Sequence, residues 1–173
     1  MNLDSLLSIE PFTWRGLATA LACGVIVGLE RQLRGKPVGI RTSSLIVLGT
    51  YIFVAISIHV SNDVSDPSRI IGQVITGIGF LGAGVMLSKD GTVVGVTSAA
   101  TIWALASIGV CIAIGSLLTS IKLALVVVVI LIGVDLLESY SAAFTRGVHA
   151  RYTVRRNRSK KNGVEQKVMP SDG

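Results

Sequence analysis

Residues 98–137 read SAATIWALASIGVCIAIGSLLTSIKLALVVVVILIGVDLL, a run in which only Lys122 and Asp135 are charged. As one α-helix rising 1.5 Å per residue it would extend about 60 Å, twice the ~30 Å of bilayer hydrocarbon. Gly115-Ser116 offers a natural break. Splitting there gives two spans, 98–113 and 117–137, each close to the length that one crossing needs.

Three further apolar stretches precede them, at 14–29, 44–60 and 70–87. Punctuation between the stretches agrees with helix ends. Asp66-Pro67 places an N-cap and an N1 proline before the third span. Thr42 or Ser43 can cap the second span and Thr97 or Ser98 the fourth, while Lys89-Asp90-Gly91 closes the third as a polar turn. The expected fold is all-α: a polytopic membrane protein of five transmembrane helices.

Composition points the same way. Half of the 173 residues are hydrophobic and only 15% are charged, against roughly 25% in soluble domains. The charges crowd between the apolar stretches, because a charge at a helix centre costs about 2.5–3.5 kcal/mol on insertion scales. Net charge is +6, with 8 of the 16 Lys and Arg in the last 28 residues. With aromatics at only 5% there is little surface on which bases could stack. The basic tail reads as a partner of anionic lipid and not of nucleic acid.

Residues 1–13 carry Asp4 and Glu10 and no basic residue, so the first span lacks the charged start of a cleavable signal. With the N-terminus outside, thirteen Lys and Arg fall inside and three (Arg15, Arg69 and Lys122) outside. That bias is the positive-inside pattern, and it requires an odd number of spans and a cytoplasmic C-terminus. The expected domains are an external segment 1–13, a transmembrane domain 14–138 and a disordered basic cytoplasmic tail 139–173.

Small residues suggest how the helices meet, since lipid gives them no hydrophobic drive to associate. Ala20, Gly24 and Gly28 recur every four residues in the first span. Gly72, Thr76, Gly79 and Ala83 form a stripe on the third, and Ala100, Ala104, Ser107 and Cys111 share a face of the fourth. The fifth, with Val126 to Val129 followed by Ile130-Leu131-Ile132, is bulky all round. Spans one, three and four are therefore expected at the centre and span five at the lipid edge.

Motifs that suggest chemistry fail on context. Residues 77–82, GIGFLG, match G-x-G-x-x-G but lie inside an apolar span with no preceding strand. Gly35-Lys36-Pro37 lacks the rest of a P-loop, and Asn157-Arg158-Ser159 sits on the predicted cytoplasmic side. His59 and His149 have no ligand spacing, and Cys23 and Cys111 read as small buried residues. No catalytic group, cofactor or metal site is expected, and the chain is not expected to be an enzyme.

Three ordered motifs nevertheless resemble those of a known family. They are Gly28-Leu29-Glu30-Arg31 with residues 35–42 (GKPVGIRT), Asp66-Pro67-Ser68-Arg69 with residues 73–84 (QVITGIGFLGAG), and residues 95–104 (GVTSAATIWA). Together they are similar to the signatures of the MgtC/SapB family of bacterial membrane proteins, over about residues 14 to 137. The resemblance implies an inner-membrane protein tied to growth under magnesium limitation and, in pathogens, to virulence. It implies regulation of other integral membrane complexes, the ATP synthase among them, and not magnesium carriage. Longer family members carry a cytoplasmic ACT-like domain, for which residues 139–173 are too few. Ser98 stands where Thr is usual in the family.

The polar positions divide into two groups. Glu30, Arg31, Arg34, Lys36, Arg41 and Thr42 gather at the cytoplasmic ends of spans one and two, joined at that depth by Asp135 and Glu138. They read either as interfacial anchors or as a docking surface for another membrane protein. Asp66, Arg69, Gln73, Gly77, Gly79, Gly82, Gly84, Thr97, Thr101 and Trp103 read as helix-packing positions, with Asp66 and Arg69 fixing the outer end of span three. Expected partners are membrane lipids, other integral membrane proteins and a second copy of the chain. The alternative to regulation is a small transporter or channel for Mg²⁺ or another cation. No carboxylate lies in the middle of a span to replace the water that Mg²⁺ gives up reluctantly.

Overall fold

The computed structural model describes residues 8–61, 67–89 and 92–140. Five helices account for most of them: α1 (Trp14–Leu33), α2 (Ile40–Val60), α3 (Pro67–Gly84), α4 (Val96–Ala113) and α5 (Leu117–Tyr140). Between α3 and α4 lies a two-stranded antiparallel ribbon, β1 (Leu87–Lys89) and β2 (Thr92–Val94), which pairs Leu87 with Val94 and Lys89 with Thr92. The chain divides after Val129 into a helical bundle and a second unit, whose described residues are the end of α5.

Four helices are long and apolar enough to cross a membrane: α1, α2, α4 and α5. The third, α3, has 18 residues and so the length of a short span. Arg69, Gln73 and the glycines spaced along it hold its mean hydropathy below that of the most apolar 18-residue stretch of each of the other four.

Each helix end has a local cause. Thr13 caps α1, its hydroxyl accepting from the Gly16 N–H at 3.0 Å. At the other end Gly35 adopts φ +62, while the Lys36 N–H donates to the Arg31 carbonyl and the Gly35 N–H to that of Gln32. This paired return of N–H groups is a Schellman stop, and the left-handed residue in it is glycine for the usual steric reason. Neither Thr42 nor Ser43 caps α2, which starts earlier, at Ile40, with Gly39 as its N-cap. Gly95, at φ +93, precedes α4 in place of Thr97 or Ser98, and a Cβ there would run into the Val85 carbonyl. Gly115, at φ +84, divides α4 from α5 as the sequence suggests. The third span ends at Gly84 and not at Leu87, because β-branched Thr92 and Val93 with Val94 favour a ribbon. Asp66, the expected cap of α3, lies outside the described residues.

The core is built by α1, α2 and α4. Its fully buried side chains include Val27 of α1, Val47 and Val54 of α2, and Ile102, Leu105 and Ile108 of α4. Glycines set the spacing between these helices. A Cβ on Gly24 would collide with the Ser44 backbone, and one on Gly28 would lie 2.5 Å from the Ile40 Cα. Across the other interface, a Cβ on Gly109 would lie 2.7 Å from both the Val47 carbonyl oxygen and the Thr50 Cβ. The small-residue pattern of the first span is thus a true contact seam. It meets α2, which the sequence reading left out of the centre.

The third span does not occupy the centre. Gly72, Thr76, Gly79 and Ala83 are exposed, and nothing lies within 4 Å of where a Cβ would stand on Gly72, Gly77, Gly79 or Gly84. Of the α3 glycines only Gly82 touches another helix, with the Ala99 Cβ 3.6 Å from its own prospective Cβ. The α4 face of Ala100 and Ser107 is likewise exposed, since the branched side chains of Ile102, Leu105 and Ile108 fill the core instead. In the part of α5 that belongs to the bundle, only Ser120 and Ala124 are buried. Its Val126 and Val129 are exposed, as a lipid-edge helix requires.

Gly24→Leu should therefore destabilise the bundle by about 3 kcal/mol or more, because overpacking forces backbones apart. Gly72→Leu, placed in open space, should change stability by less than about 1 kcal/mol. Thermal unfolding of the purified protein in detergent distinguishes them, and equal losses would contradict this packing.

Candidate functional site

The sequence reading gathers Glu30, Arg31, Arg34, Lys36, Arg41 and Thr42 around the α1–α2 turn. The structure divides them into a buried pair and an exposed rim. Glu30 and Arg31 are 7% and 4% exposed, while Arg34, Lys36, Arg41 and Thr42 are exposed. The buried pair faces inward and offers no surface to a partner, whereas the four rim residues can.

Arg31 reaches across from α1 to α4, where its Nη2 donates to Ser98 Oγ at 2.7 Å. Ser98 is itself buried, so the bond ties two core helices across 67 positions of sequence. The adjacent Glu30 turns toward Arg34, with Oε1 at 2.8 Å from Nε one helical turn on. That ion pair is short but off the hydrogen-bonding direction, and among the described residues neither Glu30 oxygen takes a hydrogen bond. The Arg31 Nε is likewise buried without an acceptor. A buried guanidinium and a buried carboxylate at one end of the bundle therefore retain hydrogen-bonding capacity, a costly arrangement unless water meets it.

The turn beneath them is constrained. Val38 is buried at φ +68, an unusual conformation for a β-branched residue and one that stores roughly 1–3 kcal/mol. Two bonds hold the turn: Ser43 Oγ donates to the Val38 carbonyl at 3.0 Å, and the Ile40 N–H donates to Gln32 Oε1 at 3.3 Å. The start of α2, with Arg41 and Thr42 on its first turn, is fixed against the end of α1 in this way.

The remaining predicted positions are dispersed. Thr101 is buried but satisfies its hydroxyl locally on the Thr97 carbonyl at 2.7 Å, while Thr97 itself is exposed. Trp103 is 52% exposed and lines a hollow between α3 and α4 with Ile75, Ser107 and Cys111. Arg69 is exposed near the start of α3, and Gln73 and Gly77 line a groove between α2 and α3. Among the described residues no three of His, Cys, Asp or Glu gather as a metal cluster would require. Sequence reasoning missed Ser98 as the partner of Arg31. A serine within two turns of the start of a span, at the depth of the first span's basic end, was the available signal.

Several apolar helices of spanning length, joined by short turns, define a multi-pass helical membrane protein. Comparison with known proteins makes the assignment specific. The MgtC family profile matches residues 17–140, and the chain belongs to the MgtC family. It is 46% identical over 111 residues to the "Putative magnesium transporter YhiD" of Escherichia coli K12, covering 60% of this chain and 51% of that protein. It is 41% identical over 104 residues to "Protein MgtC" of Brucella abortus, covering 56% and 43%. An uncharacterised protein of Haemophilus influenzae is 38% identical over 148 residues, covering 80% and 59%. The chain spans about half the length of the curated relatives it matches. No solved structure matches.

Ser98→Ala should leave the buried Arg31 Nη2 without its acceptor and cost about 1–3 kcal/mol. Ser98→Thr keeps the hydroxyl and should cost much less. Chemical or thermal unfolding in detergent reads the difference, and equal stability of all three proteins would remove this bond from the account.

Proposed function

We propose that this protein is a non-catalytic regulator in the bacterial inner membrane. It would support growth under magnesium limitation by lateral contact with other integral membrane complexes, the proton-driven ATP synthase being the type of target that the family resemblance implies. In this reading α3 also crosses the membrane, making five spans, the N-terminus is external and the rim of Arg34, Lys36, Arg41 and Thr42 faces the cytoplasm. Virulence in pathogens belongs to the same reading.

The observation that carries it is the outward face of α3. Gly72, Thr76, Gly79 and Ala83 form an exposed face of small residues that no other helix approaches among the described residues. Membrane helices associate through faces of this kind, where backbones come close and hydroxyls help. A target helix from another complex suits that face, and the exposed basic rim suits carboxylates on the target's cytoplasmic side.

The competing reading is a magnesium carrier, favoured by the name of the Escherichia coli relative. An ion path is usually marked by carboxylates within the membrane. Of the acidic residues on the described apolar helices, Glu30 lies three residues before the end of α1, paired with Arg34, and Asp135 and Glu138 lie in the last turns of α5. None is central, which supports the regulatory reading.

Growth in low magnesium tests it. Strains carrying Gly79→Leu should accumulate normal levels of protein and fail to grow, because the added side chain blocks the lateral contact and not the fold. Arg34→Lys should impair growth less than Arg34→Ala, since Lys keeps the charge but loses the planar fork that pairs with carboxylate. Normal growth of the Gly79→Leu strain, with protein level checked by immunoblot, would remove the α3 face from the mechanism.

A further inference from the structure

Between α2 and α3 runs a groove of about 670 Å³. Its walls are mainly apolar, with Leu45, Gly49 and Phe53 on one side and Val74, Gly77 and Leu81 on the other. At one end it is bounded by Arg41 and Thr42, on the first turn of α2. Gln73 is the only amide side chain on the wall, well away from the Arg41 end along the helices. We infer that this groove holds one acyl chain of an anionic phospholipid, with the lipid phosphate at Arg41 and Thr42.

Shape is the first argument. Gly49 and Gly77 face the groove from two helices, and nothing lies within 4 Å of where either Cβ would stand. Gly24, Gly28 and Gly109 behave differently, each pressed against a neighbouring helix. The two groove glycines therefore widen a space within the chain and do not bring its backbones together. From Arg41 to Phe53 the groove follows about 18 Å of helix at 1.5 Å per residue. An apolar slot of this length, closed at one end by a cationic side chain, suits the acyl chain of an anionic lipid.

Charge is the second argument. Arg41 is exposed at the end of the groove, and no acidic side chain lines the groove among the described residues. The Arg41 and Thr42 N–H groups, at the start of α2, have no acceptor among the described residues. A helix N-terminus with free N–H groups, a hydroxyl and a guanidinium is suited to phosphate. The smaller hollow on the other side of α3, about 230 Å³, has no charged residue on its wall. Unlike that hollow, the α2–α3 groove combines an apolar slot with a cationic end.

Native mass spectrometry of the full chain, exchanged into detergent with equal phosphatidylglycerol and phosphatidylcholine, tests the assignment. The wild type should retain one phosphatidylglycerol with a roughly fivefold preference, the effect of one basic residue beside an anionic membrane surface. Arg41→Gln should lose the preference while still taking up lipid. Gly77→Leu, whose Cβ would meet nothing within 4 Å, projects into the slot and should lose the bound lipid, whereas Val129→Leu on exposed α5 should keep it. Matching thermal unfolding of the variants would confirm that the fold is intact. Lipid retained in full by Gly77→Leu, or no preference for phosphatidylglycerol in the wild type, would overturn the proposal. So would a lipid-free wild-type dimer that Gly77→Leu dissociates, since a second copy would then occupy the groove.

Discussion

Helices in a lipid solvent gain little by hiding apolar surface from one another, so this bundle depends on how closely its backbones approach. Gly24 and Gly28 bring α1 against α2, and Gly109 brings α4 against α2. At each place a single Cβ would collide with a neighbouring helix. Once these three helices are drawn together, the branched side chains of Val47, Val54, Leu105 and Ile108 fill the space between them. The second helix is the hub because the glycines of two others converge on it.

That close frame also explains how charged residues can be buried at one end. Arg31 crosses to Ser98 on α4 and Glu30 turns toward Arg34, both at the end where α1 stops and α2 begins. A charge is costly at the centre of a span and much less so near its end, where water and headgroups are close. Burial orients the pair while the rim of Arg34, Lys36, Arg41 and Thr42 stays open. The strained Val38 turn, held by Ser43, fixes that rim relative to the core. Scaffold and exposed surface therefore derive from the same short segment of chain.

Much of this was legible in the sequence, for reasons that can be named. The helices follow from apolar runs matched to membrane thickness, and Gly115 divides the long run because it adopts a backbone conformation most residues avoid. The Ala20-Gly24-Gly28 seam was legible because its period is helical. What remained hidden was which partner a small-residue face meets. The stripes on α1 and α3 look alike in sequence, yet one is pressed against α2 and the other faces outward. Neighbour choice depends on three-dimensional fit across the whole bundle, which no local pattern encodes. Burial of Arg31 was hidden for a related reason: its acceptor, Ser98, lies 67 residues away. The ribbon at 87–94 was read only as a turn, since a three-residue strand carries too little period to register.

The central functional claim is that this MgtC-family protein acts on neighbours in the membrane and does not itself carry magnesium. Its most direct test is Mg²⁺ flux into liposomes that contain the purified full chain and a magnesium-sensitive dye. With no carboxylate in the middle of a described span to replace the water of Mg²⁺, entry should match that into protein-free liposomes at every magnesium concentration. Entry that rises with protein and saturates with magnesium would contradict the account, and the protein would then be a transporter.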